Sequence, residues 1–293
     1  MIVVPGLEHI AIPAIRLLGS SAPLVVIDNG LHLIDRNRVT DAIPSLKIFK
    51  LYTNGITGQQ MVDTHPEVME TLTQSICDMT IFIDADCYVF KYSLIDKVFE
   101  ELKDNLFASP FFFKNHLLKE KIPETFLIGV NNRLYDKIKK KYRIQFGESV
   151  LPTSLVKKAE SRWGKPIPWL HPWKKKYDTI HVTVLASLVE NFKIGTFETS
   201  NEDIQHVCAT SYSIKKIILQ YPEDEFLLNA HFFHMRLFEE LGIDRINECL
   251  LPIIKHYINS EELKDRYAEF KYTETFCNTI QLIKKLKECN VLY

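Results

Sequence analysis

The stretch Met79-Thr80-Ile81-Phe82-Ile83-Asp84-Ala85-Asp86-Cys87-Tyr88-Val89-Phe90 constrains this chain most. Mostly apolar, β-leaning residues run without interruption into two aspartates separated by one residue. Such a run suits a strand covered on both faces, as in the parallel sheet of an α/β protein. These sheets bind ligands at the carboxyl ends of their strands, which is where the aspartates fall. Carboxylates at i and i+2 are poorly placed to pair with each other. They are hard oxygen donors, suited to a divalent cation that also holds a diphosphate. A strand ending in a solvated turn is the plain alternative, and this stretch alone does not choose between them.

At 293 residues, 46% apolar and 25% charged, the chain reads as one large α/β domain or a domain with an appendage. A formal net charge of -1 gives no electrostatic pull toward nucleic acid or an anionic membrane. The six cysteines, Cys77, Cys87, Cys208, Cys249, Cys277 and Cys289, are scattered and form no C-x-x-C pair. That pattern fits reduced thiols and a cytoplasmic location, not a disulfide framework or a zinc knuckle. No signal peptide is read at the N-terminus. No window reaches the roughly 18 to 20 apolar residues of a transmembrane helix.

The order of elements follows from periodicity. Ile2-Val3-Val4-Pro5 reads as a short strand. Leu7 to Leu18 repeats apolar residues at threes and fours, as a helix does, and Leu24-Val25-Val26-Ile27 is a second buried strand ending in Asp28-Asn29-Gly30. Together they predict a βαβ unit. Asn-Gly supplies a tight turn, while Asp28, at a strand's carboxyl end, can accept the imide N–H of a uracil. A third strand is expected over 46–51, a helix over 65–77, and another over 92–102. Strands are expected at 106–110 and 126–130, then a basic helix over 134–142 whose lysines most simply form a solvated face. Further on come a helix over 179–191 and strands at 192–197 and 203–208, the last carrying His206.

Residues 144–176 look the least regular. They hold all three tryptophans, Trp163, Trp169 and Trp173, with four prolines and the run Lys174-Lys175-Lys176. Long loops of this kind act as lids or binding segments. Tryptophans pinning the loop to the core are the bland alternative, and a peripheral membrane contact is a third. From about residue 213 long amphipathic segments follow, over 224–241, 244–257 and 261–286. They predict a helical subdomain, 213–293, after a catalytic domain, 1–212. His231 and His234 lie one helical turn apart, but Phe232 and Phe233 between them favour a packed face over a metal pair.

Taken in order, these segments resemble the inverting, family 2 type of GT-A glycosyltransferases, whose signature includes the Asp-x-Asp motif. The matching segments are Ile2-Val3-Val4-Pro5, Val25-Val26-Ile27-Asp28-Asn29-Gly30, Ile81-Phe82-Ile83-Asp84-Ala85-Asp86, Phe126 to Arg133, Tyr177-Asp178 with the helix after it, and His206 with Ala209-Thr210-Ser211. The resemblance spans about residues 1 to 212. It implies a GT-A, Rossmann-like, mixed and mostly parallel sheet flanked by helices. It implies a nucleotide-diphosphate sugar donor, with UDP expected, contacted by Pro5, Asp28, Asp84, Ala85 and Asp86. Asp84, Asp86 and His206 would hold Mn²⁺ or Mg²⁺, and Asp178 would be the general base of a hexosyl transfer. The acceptor would be a glycan, a lipid-linked or a small-molecule hydroxyl, not nucleic acid. Tyr177 stands where the family usually has an acid, and there is no Gln-x-x-Arg-Trp motif, which speaks against a processive polymer synthase.

Other readings stay open at the level of sequence. Asp178 is also a favoured helix N-cap, and His206 taken alone fits a core histidine. A retaining glycosyltransferase would use Asp178 to position the acceptor. A sugar nucleotidyltransferase would need basic residues where the chain reads Pro5-Gly6-Leu7-Glu8-His9. A binding module without activity would keep the fold alone.

Overall fold

The computed structural model describes residues 1–3, 8–19, 24–28, 37, 39–41, 47–50, 65–74, 77–116, 118–164, 179–208, 210, 225–241, 261, 265, 268–269 and 271–292. The fold is mixed α/β, with parallel and antiparallel strands flanked by helices. Residues 1–54, 85–90 and 201–293 form one compact unit, and residues 55–84 with 91–200 form a second.

In the first unit β1 (Ile2–Val3), α1 (Glu8–Leu18) and β2 (Val25–Asp28) make the expected βαβ unit. Strand β1 lies parallel to β2, with Val3 opposite Asp28, and β2 lies parallel to β3 (Lys47–Lys50). The apolar residues of α1 recur every three or four positions, so Ile10, Ala11, Ala14, Ile15 and Leu18 are all buried.

The second unit opens with α2 (His65–Thr73) and β4 (Met79–Ile83). Strand β5 (Cys87–Val89) belongs to the first unit. The second unit continues with α3 (Ser93–Leu102), β6 (Phe107–Ser109), β7 (Phe112–Asn115), β8 (Glu120–Pro123), β9 (Leu127–Asn131) and α4 (Asn132–Tyr142). It ends with α5 (Thr153–Trp163), α6 (His181–Val189) and β10 (Ile194–Thr196). Its four-stranded sheet runs β10-β6-β9-β4. Strand β9 is antiparallel to both neighbours and β10 is parallel to β6.

The strand expected between parallel partners is therefore paired antiparallel, and it ends the strand order of the described sheet. Met79, Thr80 and Ile81 are half-buried there, while Phe82 and Ile83 are buried. Its run of apolar residues reflects the packing of α2, α3 and α4 against it. The core of this unit gathers Phe107, Ile128, Val130, Tyr135, Ile138, Leu155, Val184 and Leu185. Each such side chain contributes about 1.5–3 kcal/mol by leaving water.

Helix α3 crosses this sheet at close range. A Cβ on Gly129 of β9 would stand 2.6 Å from Leu102 Cδ1 and 2.7 Å from Val98 Cγ1. One on Gly195 of β10 would stand 2.9 Å from Glu101 Cβ. The missing side chains are what admit the helix.

Two further expectations are corrected, and one element is added. The supposed loop 144–176 contains α5, an amphipathic helix burying Leu155 and Ala159. Gly164 ends it in the left-handed conformation, with φ 66°, as helix C-termini favour. Tryptophans and prolines there masked a helical repeat. The hairpin β7–β8 was not foreseen, because Lys114 and Lys121 break its apolar pattern, and Lys119 turns it with φ 58°. The segment 261–286 is not one helix. Turn residues 271–272 interrupt it, and Thr273 caps α8 (Glu274–Glu288), its side chain accepting from Phe276 N at 3.4 Å.

The basic face of α4 is only partly solvated. Glu70 of α2 accepts from Tyr135 and Lys139, and from Phe146 N at 3.2 Å. Glu190, just past α6, accepts from Lys141, Tyr142 and Lys158. These carboxylates tie α4 to its neighbours. Among the described residues no helix is long and apolar enough to cross a membrane. The helix expected over 244–257 lies outside the described residues.

Candidate metal centre

Two elements of the first unit build the site. The chain passes through Asp86 and enters β5, which pairs antiparallel with β11 (Ile204–His206). The register sets His206 opposite Cys87. Val207 N donates to Asp86 O at 3.1 Å, extending the pairing by one step. Residues far apart in sequence thus meet across one short ladder, and His206 Nε2 stands 3.2 Å from Asp86 Oδ1. The two side chains are only 6% and 11% exposed.

The second carboxylate oxygen is also engaged. Thr210 Oγ1 donates to Asp86 Oδ2 at 2.6 Å. The other ring nitrogen of His206, Nδ1, is 3.4 Å from Cys208 Sγ. Burial by itself would protonate Asp86, but the His206 charge and the Thr210 hydroxyl outweigh it and hold the carboxyl below its ordinary range. Burial likewise acts to deprotonate His206, but Asp86 prevails and holds the imidazole above its ordinary range. Asp86 and His206 are therefore a buried, mutually stabilising pair 3.2 Å apart.

Behind the pair lie three more histidines, His9, His231 and His234, all buried. Helix α7 (Glu225–Leu241) packs against α1 and α8, and α1 packs against β5. His234 of α7 has its Nε2 3.1 Å from Thr210 O and its Nδ1 2.8 Å from His9 Nε2. Both ring nitrogens lie within hydrogen-bond range of a partner, and the ring is buried. Burial lowers its pKa to about 4 and drives His9 well below the usual histidine range. His231, buried beside them, is lowered to about 3, chiefly by burial.

Asp84 follows β4 in the second unit. Its backbone N donates to Phe126 O at 2.9 Å, and its Oδ1 is 3.7 Å from His65 Nε2. Ala85 is the single residue between Asp84 and Asp86, so their Cα atoms are at most about 7 Å apart. Asp28 ends β2 as expected, with Lys50 opposite it in β3. Pro5 and Asp178 lie outside the described residues, as do Trp169 and Trp173. The N-cap position of α6 belongs to Ile180, whose side chain makes no capping bond.

The donor chemistry fits a divalent cation. Asp86 and His206 present a carboxylate oxygen and an imidazole nitrogen to one another in a buried place. Carboxylate suits Mg²⁺ and Mn²⁺, and imidazole widens the set toward transition metals. Imidazole ligates only in its neutral form, so cation binding there would depend on pH. Sequence reasoning identified Asp86 and His206 but not Thr210 as the hydroxyl bonded to Asp86, nor the His9–His234 contact behind it. Small residues after His206 were the sole hint of Thr210.

No protein-family model matches the chain, and no curated protein sequence matches it. Solved structures resemble it at a distance. The glycosyltransferase GlyE of Streptococcus pneumoniae TIGR4 is 9% identical with a TM-score of 0.36, and the match covers 97% of this chain and 63% of GlyE. TarS of S. aureus is 14% identical with a TM-score of 0.39, over 94% of this chain and 53% of TarS. Its 1–349 portion, solved in complex with UDP, is 12% identical with a TM-score of 0.36, over 97% and 90% of the two chains. A 4-diphosphocytidyl-2C-methyl-D-erythritol synthase from Anaerococcus prevotii DSM 20548 is 8% identical with a TM-score of 0.36, over 80% and 97%. The chain thus spans less than two thirds of the GlyE chain and of the longer TarS chain.

Proposed function

We propose that this chain is a glycosyltransferase using a nucleotide-diphosphate sugar, with UDP as the expected nucleotide and Mn²⁺ or Mg²⁺ as the cation. The observation that carries the reading is the buried Asp86–His206 pair, formed by the aspartate of an Asp-x-Asp motif and a histidine from the far end of the matching region. Asp84, joined to Asp86 through Ala85 alone, is the further ligand that the motif offers. The ordered resemblance of residues 1–212 to GT-A enzymes supports the same reading, with 213–293 as a helical appendage.

The proposed roles follow from chemistry. A bound divalent cation supplies positive charge where the diphosphate leaves. Asp86 and His206 hold it, and Asp84 joins through its short tether. Asp28, at the end of β2, reads the base, and Pro5 and Ala85 line the donor. Asp178 takes the proton of the acceptor hydroxyl, giving single displacement with inversion. The reading places the protein in the cytoplasm, acting on a glycan, lipid-linked or small-molecule acceptor.

Thermal unfolding with UDP, with and without Mn²⁺, tests the proposal. Ligand at about 100 times its Kd stabilises by about 2.7 kcal/mol, which raises the midpoint by about 5 °C in a chain of this size. The rise should need Mn²⁺ and vanish in Asp86→Asn. No metal-dependent rise with any nucleoside diphosphate would refute it. A retaining product would reassign Asp178 to positioning, and pyrophosphate release from a nucleoside triphosphate would point to a nucleotidyltransferase.

A further inference from the structure

A line of side chains continues from the metal centre into the core of the first unit. It runs His9, His234, Thr210, Asp86, His206 and Cys208, each within hydrogen-bond range of the next. His9, His234, Thr210 and Asp86 are all buried, with His234 at 0% exposure. Buried polar groups of this kind are worth most when fully connected.

The donors and acceptors along the line follow from geometry. Thr210 O can only accept, so His234 Nε2 carries a proton and donates to it. In a neutral ring His234 Nδ1 is then an acceptor, and His9 Nε2 must donate to it. Both rings are Nε2–H tautomers. His9 is steadied by Phe238, whose ring centroid lies 4.4 Å away. Thr210 is thus held by its carbonyl, which leaves its hydroxyl to fix one oxygen of Asp86 and direct the other toward His206. Nothing else among the described residues donates a side-chain hydrogen bond to Asp86 Oδ2.

We propose that His9 and His234 are positioning residues which, acting through Thr210, lock the Asp86 carboxylate in the orientation that binds the cation. The inference rests on the metal reading above and deepens it. The line does not touch substrate. It sets the affinity of the site, as outer partners of metal ligands do when their loss costs about 10- to 100-fold in binding.

Mn²⁺ affinity of the full chain, read from the electron paramagnetic resonance signal of free Mn²⁺, tests this without any activity assay. Thr210→Val keeps the branched shape and removes the hydroxyl, and should weaken Mn²⁺ binding about 10- to 100-fold. Thr210→Ser should restore it to within a few-fold. His234→Phe should weaken it similarly, and His234→Gln, whose amide can still donate to Thr210 O, should recover most of the loss. Far-UV circular dichroism confirms that each variant is folded. If His234→Phe does not fold, the Thr210 pair and the nitrogen-15 signals of the wild-type histidines decide, with both rings expected as Nε2–H. Wild-type Mn²⁺ affinity in Thr210→Val, beside its loss in Asp86→Asn, would overturn the positioning role and leave the metal centre standing. Equal losses in Thr210→Ser and Thr210→Val would also overturn it. Absence of Mn²⁺ binding by the wild type would refute the metal centre and this role together.

Discussion

Gly129 offers a direct test of how the second unit is held. It lies in β9, opposite Ile81 of β4, the strand that leads to Asp84. Replacing it with alanine puts a methyl carbon 2.6 Å from Leu102 Cδ1 and 2.7 Å from Val98 Cγ1. Carbon atoms prefer about 3.5–4.0 Å, so each neighbour must retreat by about 1 Å. Leu102 and Val98 are both fully buried and have nowhere open to go. Overpacking of this kind costs about 1–3 kcal/mol. Relief of glycine's conformational entropy returns only about 0.5–1 kcal/mol, so the clash prevails and a net loss of about 1–2 kcal/mol is expected. Leu102→Ala alone should cost about 2–5 kcal/mol. In the double variant the new methyl enters the space that Leu102 vacates. The combined loss should therefore fall short of the sum by about 1 kcal/mol, with Val98 keeping the relief incomplete. Urea unfolding followed by tryptophan fluorescence and circular dichroism measures all three. Gly129→Ala at wild-type stability, or strict additivity with Leu102→Ala, would refute the close approach of α3 to β9.

Other expectations follow from single groups. Glu190 is held at about 2, because Lys141, Tyr142 and Lys158 outweigh a burial that alone would raise it. Its contribution is present above about pH 4.5 and is lost as pH falls toward 2. Glu190→Gln should therefore lower the thermal midpoint at pH 7 and match wild type near pH 2, and an equal deficit at both would contradict the ion-pair account. Asn131 caps α4, accepting from Leu134 N at 3.1 Å, while its Nδ2 donates to the buried Leu102 O at 2.8 Å. Asn131→Ala should cost about 2 kcal/mol in urea unfolding, and a loss below about 0.5 kcal/mol would show that neither bond contributes.

Much of the candidate site is legible in the linear pattern. Asp86 stands out as a carboxylate after an apolar strand, and His206 as the end of a late one. Their meeting does not, because it depends on β5 pairing with β11, and each strand is only three residues long. Thr210 is an ordinary hydroxyl until the fold sets it 2.6 Å from Asp86 Oδ2. His234 invites a metal reading beside His231 and is instead spoken for at both nitrogens. Helix α5 is hard to see in the sequence because only Leu155 and Ala159 are buried along it and Pro152 and Trp163 stand at its ends.

The linear order of side chains was enough to specify the βαβ start, the strand into the twin aspartates and most helices, since burial of one face imprints a period of two or near four on neighbouring residues. It could not specify that β9 runs antiparallel to β4, that α3 rests on Gly129 and Gly195, or that two histidines from α1 and α7 stand behind Asp86. Those arrangements join residues up to 225 positions apart. They depend on which surfaces pack together, and no local period records that choice.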